Sequence, residues 1–579
     1  MRFFKKYNIL YSFIFFISIF LCSCNPSSST TANEDFDSFL NEMFVNEVQS
    51  DSITLNYTLC EPEKYGITSY TPTLGEYSLS YMKEYQAILE NYKNRLHGFP
   101  YRKLTFEQQK TYDVLDQYFN LCLIDEDLLL YSETLGPNTG IQAQLPILLS
   151  EYNFTDKDDF SDYLSLLSCV DDYFEEIIVF EKEKAKNGLF MSDHTADQII
   201  NQCSLFIDSQ KDNALIEVFN DRLDSIDWLS KKEKAVLKKK NKKQVETQVI
   251  PAYVSLIKGL RGLKGSGINE EGLSHFPEGK NYYTYLVQYY TGSSRTIPEM
   301  RKLLEKNIDE NILEIQKIAK EDPTILEKIK KVTFPLTDPE QILSYLEKNI
   351  SDAYPPLNSV HYQIKYVHPS LEEYLSPAFY LSPPLDHYTE NSIYINPYDA
   401  YDLSDIFTTL AHEGYPGHLY QTIFFNEVHT YPIRSLLNFS GYSEGWASYA
   451  EFDSYERAGL DSSTAALLKA NQAATICIYG DIDLGVNYYG WSYEDTKKYL
   501  KKFGIRDEAS ATSIYSAMIQ EPGNYLKYAG GYVEIMELQK TAEKKLKKNF
   551  DLKTFREYFL RFGPAPFNVI EKYANRELF

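Results

Sequence analysis

The sequence predicts a mainly α fold with one small β-sheet. From Glu34 onward, apolar residues recur at three- and four-residue spacing, as in Leu104–Leu123, Asp158–Asn187, Lys231–Leu263, Pro298–Ile318 and Ser404–Phe425. Asp and Ser stand before several of these stretches as N-caps. Strand signals are confined to a short interval, at Lys331–Phe334, Tyr362–Val367 and the β-branched alternation Ser392–Asn396. The 579 residues, 43% of them hydrophobic, allow a large core and about two to four domains. Breaks fall at Gly136-Pro137, 265–267 and 353–357, and no period of 20 to 50 residues recurs. The reading is a helical half over 35–335 that covers a cleft, and a half over 336–579 that carries the chemistry and the sheet.

The first element is an address. Arg2, Lys5 and Lys6 precede the apolar run Ile9–Leu21, the pattern of a secretion signal over 1–23. Leu21-Cys22-Ser23-Cys24 resembles a bacterial lipobox, which implies a lipid on Cys24, a membrane as partner through that lipid, and an extracytoplasmic envelope location. A standard signal with an incidental cysteine is the alternative. The polar stretch 24–34 reads as a flexible tether. Without the leader the chain holds 55 basic against 82 acidic residues, a field that repels phosphate backbones and excludes nucleic acid as a partner. The run Lys231–Lys243, with eight Lys, reads as the solvated face of a helix capped by Ser230. Cys60, Cys122, Cys169, Cys203 and Cys477 lack metal-site or disulfide spacing and read as small apolar residues.

The chemistry lies in the helical stretch that runs into His412-Glu413-Gly414-Tyr415-Pro416-Gly417-His418. Two His four apart on a helix reach one metal ion; these are six apart, and six residues of regular helix turn about 600° and rise about 9 Å. The Gly-Tyr-Pro-Gly insert can break the helix and swing His418 back beside His412. A helix end followed by a turn, with His418 opening the next helix, is the other reading. A zinc site with two His needs a third protein ligand and an open position. Glu444, 26 residues on, is the candidate; Glu451, two turns later on the same helical face, is placed to orient a His ring. With one Zn²⁺ on His412, His418 and Glu444, Glu413 becomes the general base.

These residues carry a family resemblance. His412–His418, the block Glu444-Gly445-Trp446-Ala447-Ser448-Tyr449-Ala450-Glu451 and the segment Pro522–Gly531 resemble the three hallmark blocks of the bacterial domain-of-unknown-function family 885, many of whose members are predicted lipoproteins. The likeness extends over about 35–579. It implies a large helical fold like that of the gluzincin metallopeptidases, with His412, His418 and Glu444 on zinc, Glu413 as base and Tyr528 aimed at the oxyanion. By the same analogy Ile393–Ile395, with Tyr394, is the sheet edge that pairs with a peptide substrate. Family members often carry an Asp-x-Gly-x-His segment; Asn487 stands at its His position here, which weakens any substrate contact made there. Arg434 is the candidate for a substrate carboxylate. Tyr525, with Tyr282, Tyr283 and Tyr532, is a candidate cleft-lining residue among 49 Tyr.

The expected function is a membrane-anchored, outward-facing zinc peptidase of short peptides. A binding lipoprotein without catalysis, and a zinc hydrolase of an ester or non-peptide amide, are the alternatives. Sequence preference, endo- or exo-action and oligomeric state do not follow from the residues.

Overall fold

A computed structural model describes residues 29–579 apart from 138, 209–212, 268–269, 359, 400, 402 and 404–405. The leader 1–23, Cys24 and the first residues of the expected tether lie outside the described residues. The chain is already helical from Ser29, in Ser29–Val48, so the second half of the polar stretch is the opening of a helix and not a linker. The fold is 70% helical with one three-stranded sheet.

Local chemistry explains the helix boundaries. Thr105 and Gln108 form a capping box before Phe106–Cys122, and Ser230 and Glu233 form one before Lys231–Gln244. Pro251 does not end the long helix that begins at Lys231. A wide turn at Val245–Val249 absorbs its missing N–H and ring, and the helix continues through Ile250–Leu263.

The apolar side chains form two large cores that do not divide at 335/336. The larger is drawn from Phe36–Tyr131 and Leu273–Ala574, joined by Leu189. The other runs from Leu135 to Leu260 and is inserted between those two stretches. The N-terminal residues thus build part of the same core as the C-terminal ones. Five helices of the larger core matter for the site: α1 (Gly279–Thr291), α2 (Ile406–Glu413), α3 (His418–Val428), α4 (Ser440–Ser454) and, after a helix over Ser462–Asn487, α5 (Asn524–Leu546).

The sheet comprises β1 (His361–Tyr366), β2 (Ala378–Leu381) and β3 (Glu390–Ile395) in the order β1-β3-β2. β1 runs parallel to β3, with Ile364 beside Ile393, and β2 antiparallel, with Tyr380 beside Ile393. The expected strand at Lys331–Phe334 is not one; its apolar signal comes from Phe334, which stacks on Phe407 at 5.9 Å. β2 was missed, because four residues between turns carry too little periodicity.

Candidate metal centre

The Gly-Tyr-Pro-Gly insert ends α2 at Glu413 and starts α3 at His418. Gly417 allows the bend: a Cβ there would sit 1.8 Å from the His412 carbonyl oxygen. The Tyr415–Pro416 peptide is cis, and the buried Trp446 indole N–H donates to the Pro416 carbonyl at 2.9 Å, which ties the insert to α4. The two imidazoles consequently meet nearly at right angles, with centroids 4.8 Å apart.

Glu444 enters from α4. One of its oxygens is 3.6 Å from His412 Nε2 and 3.3 Å from His418 Nε2. One donor atom from each of the three residues lies within 4.8 Å of the other two. His412 Nδ1 faces Glu451 Oε2 at 3.0 Å, which keeps its proton on Nδ1 and leaves the Nε2 lone pair toward Glu444 and His418. Two imidazole nitrogens and a carboxylate oxygen at one point, with one ring oriented from behind, are a donor set that fits Zn²⁺. Burial opposes ionisation of Glu444, but the two His beside it hold its carboxyl well below the usual range.

Glu413 stands beside these groups, and Tyr380 of β2 donates its backbone N–H to Glu413 Oε2 at 2.9 Å. Burial raises the Glu413 carboxyl while the neighbouring imidazoles pull it down, leaving it above its ordinary value. Tyr528 arrives on α5, its ring 6.4 Å from that of His412. Burial, then the Glu444 and Glu413 charges, raise the Tyr528 phenol, so it stays protonated. α4 and α5 approach this closely because glycine meets glycine. A Cβ on Gly445 would lie 2.4 Å from the Gly531 carbonyl carbon, and one on Gly531 2.0 Å from the Gly441 oxygen.

The structure thus gathers His412, Glu413, His418, Glu444, Glu451 and Tyr528. Other expectations are corrected, namely the sheet edge with Tyr394, Arg434, and Tyr283 and Tyr532 as cleft residues, whereas Tyr525 is half-buried on α5 and is not one of them. β3 is the central strand, paired on both sides, so Ile393–Ile395 offers no free edge; β2 is the strand that faces the site. Tyr394 stacks on Phe379 at 4.8 Å and donates its hydroxyl to Glu151. It joins the sheet to the Ala214–Ser225 helix through a small separate core and does not face the site. Arg434 is buried and donates to the Phe562 and Pro564 carbonyls, both at 3.0 Å, which leaves it tying chain segments together. Tyr525, three residues before Tyr528, packs edge-on against Tyr479 at 5.2 Å. Tyr283 and Tyr532 are core residues, and Tyr282 lines a cavity.

Asn487 is fully buried. It accepts from the Leu273 N–H and donates to Asp483 and the Met518 carbonyl, so its amide bonds hold a packed junction. Tyr380 and Trp446 were not expected at the site. Their roles rest on a strand pairing and a cross-helix contact that no local pattern encodes.

A family model described as "Bacterial protein of unknown function (DUF885)" matches residues 63–573. The chain belongs to the DUF885 family. Two solved structures share the fold. A "putative lipoprotein" from Colwellia psychrerythraea superposes with a TM-score of 0.82 at 18% identity, over 94% of this chain and 99% of the other. A "putative lipoprotein of unknown function" from Shewanella oneidensis gives 0.62 at 16%, over 95% and 100%. No curated protein matches the DUF885 chain. Among its described residues, no helix is long and apolar enough to cross a membrane.

Proposed function

We propose that this DUF885 chain is a zinc-dependent peptidase of short peptides, held at the outer face of a bacterial membrane by lipid on Cys24. The observation that carries the reading is the convergence of His412, His418 and Glu444 beside a carboxylate, Glu413, whose partner is the backbone of an edge strand. Bound zinc would supply a Lewis acid and a water able to ionise near neutral pH.

The protein's own groups do the rest. Glu413 takes a proton from water in the site and passes it to the leaving amine. Tyr528, kept protonated, donates a hydrogen bond toward the developing oxyanion. An extended peptide would pair along the outer edge of β2, with the Tyr380 N–H left to Glu413, and its carbonyl would then lie alongside Glu413. The resemblance to gluzincin peptidases supports this assignment of roles. The lipobox-like Cys24 and the descriptions of the two solved relatives support the anchor.

Elemental analysis of purified protein tests the reading. About one equivalent of zinc is expected, falling below about a tenth with Glu444→Ala. Glu413→Gln should keep the zinc and lose at least about 100-fold in kcat on short peptides. Zinc-free wild-type protein, or a Glu413→Gln variant as active as wild type, would sink it.

A further inference from the structure

Two cavities are lined by chain neighbours of the candidate centre, one by Ser443 before Glu444 and the other by Lys527 before Tyr528, and they share Asn438 as a lining residue. One, of about 320 Å³, continues from the end of β2 through Ser382 and Pro383 and passes Thr422 and Ser443; none of its lining side chains is charged. The other, of about 340 Å³, lies at the seam between the two large cores, where Leu135 and Met191 face Tyr282, Leu286 and Ile519. Ser440 lines it one helical turn before Glu444, about 6 Å along the axis of α4. Its volume falls in the range of small-ligand pockets, about 300–1,000 Å³.

This second cavity is the charged one, with Glu133, Glu521 and Lys527 in its wall. Glu133 is met by the Lys184 ammonium at 2.6 Å. Glu521 accepts from the Thr139 N–H and hydroxyl and from the Asn524 amide, so its oxygens are occupied in pinning the 136–140 loop. Lys527 differs: among the described residues no carboxylate lies within 4.0 Å of its ammonium. That ammonium is 5.1 Å from the ring centroid of Tyr528, itself beside His412, so a cation with no carboxylate partner stands near the candidate centre, in a cavity wall that mixes polar and apolar side chains.

We propose that this cavity receives the carboxyl-terminal end of a short peptide and that Lys527 pairs with its terminal carboxylate. The inference rests on the peptidase reading and deepens it: the chain trims peptides from the carboxyl end. The uncharged cavity beyond β2 takes the upstream part of the peptide. A terminal carboxylate gives Lys527 the ion-pair partner that no carboxylate of the cavity wall supplies, and a C-terminal amide does not.

The test measures binding of a short peptide with a free carboxyl terminus, and of its C-terminal amide, by calorimetry on zinc-loaded Glu413→Gln protein. The free acid should bind about 10- to 100-fold more tightly. Lys527→Gln should erase that difference by weakening the acid alone, and Lys527→Arg should keep most of it. Equal affinities, no binding of either peptide, or a preference that survives Lys527→Gln overturns the assignment. Wild-type turnover reports separately: carboxylate-selective binding without cleavage would leave the cavity assigned and remove the peptidase.

Discussion

Gly417 shows how tightly single residues govern the centre. Its backbone passes so close to the His412 carbonyl that a methyl group has no room, and the obstacle is backbone, which cannot rotate away. Gly417→Ala should cost about 1–3 kcal/mol in urea unfolding and weaken zinc binding by at least about tenfold in a chelator competition. A variant with normal stability and normal metal affinity would show that the bend does not depend on this contact. The sequence exposed the need for such a residue, since two His six apart cannot meet on a regular helix. It did not reveal that Trp446, 30 residues on, holds the Pro416 carbonyl, because a cross-helix hydrogen bond leaves no local mark.

At the scale of elements, α4 carries Glu444, which faces the two imidazole Nε2 atoms, and Glu451, which holds His412 from behind, and it is fixed at its far end by a buried ion pair. Arg556, on the helix Leu552–Phe562, forms an ion pair with Asp453 at 3.0 Å and lies 4.0 Å over the ring of Tyr354, whose hydroxyl donates to Asp453. Burial opposes ionisation of Asp453, but Arg556 and Lys469 hold its carboxyl below the ordinary range. Arg556→Met leaves that carboxylate buried without its main partner and should destabilise the protein by about 3–5 kcal/mol. The Arg556→Met/Asp453→Leu double variant should recover part of the loss, and denaturant unfolding of the set measures it. Helices of this length were legible from apolar spacing and caps. The sheet was only half legible: β1 and β3 fell within strand signals, β3 with β-branched alternation, while β2, the strand that faces the site, had four residues and no pattern of its own.

For the whole molecule, the most consequential junction is Asp483, fully buried in the Ser462–Asn487 helix. It accepts from the Tyr283 hydroxyl on α1 and from the Gly523 N–H at the start of α5, so one carboxylate joins three helices. Burial outweighs these donors and pushes its pKa up to about 6, against about 3.9 when unfolded. The native state therefore binds the extra proton between those values. The associated stability is full below about pH 4 and is lost as pH rises through about 6, by about 3 kcal/mol at most. Asp483→Asn removes that dependence. Its stability relative to wild type should rise from pH 4 to 6 and level off above, as read by urea midpoints across the range; a constant difference would show that Asp483 does not titrate there.

The sequence by itself determined the mainly α character, the residues available to hold a metal and the place where the helix must break. These follow from periodicity, side-chain chemistry and the geometry of six residues. Tertiary structure alone decided which strand faces Glu413, that Arg434 and Tyr394 belong to packing, and that an inserted core meets the main one at a pocket containing Lys527. Those outcomes depend on contacts between segments tens to hundreds of residues apart. A residue's own neighbours along the chain carry no record of what will pack against it.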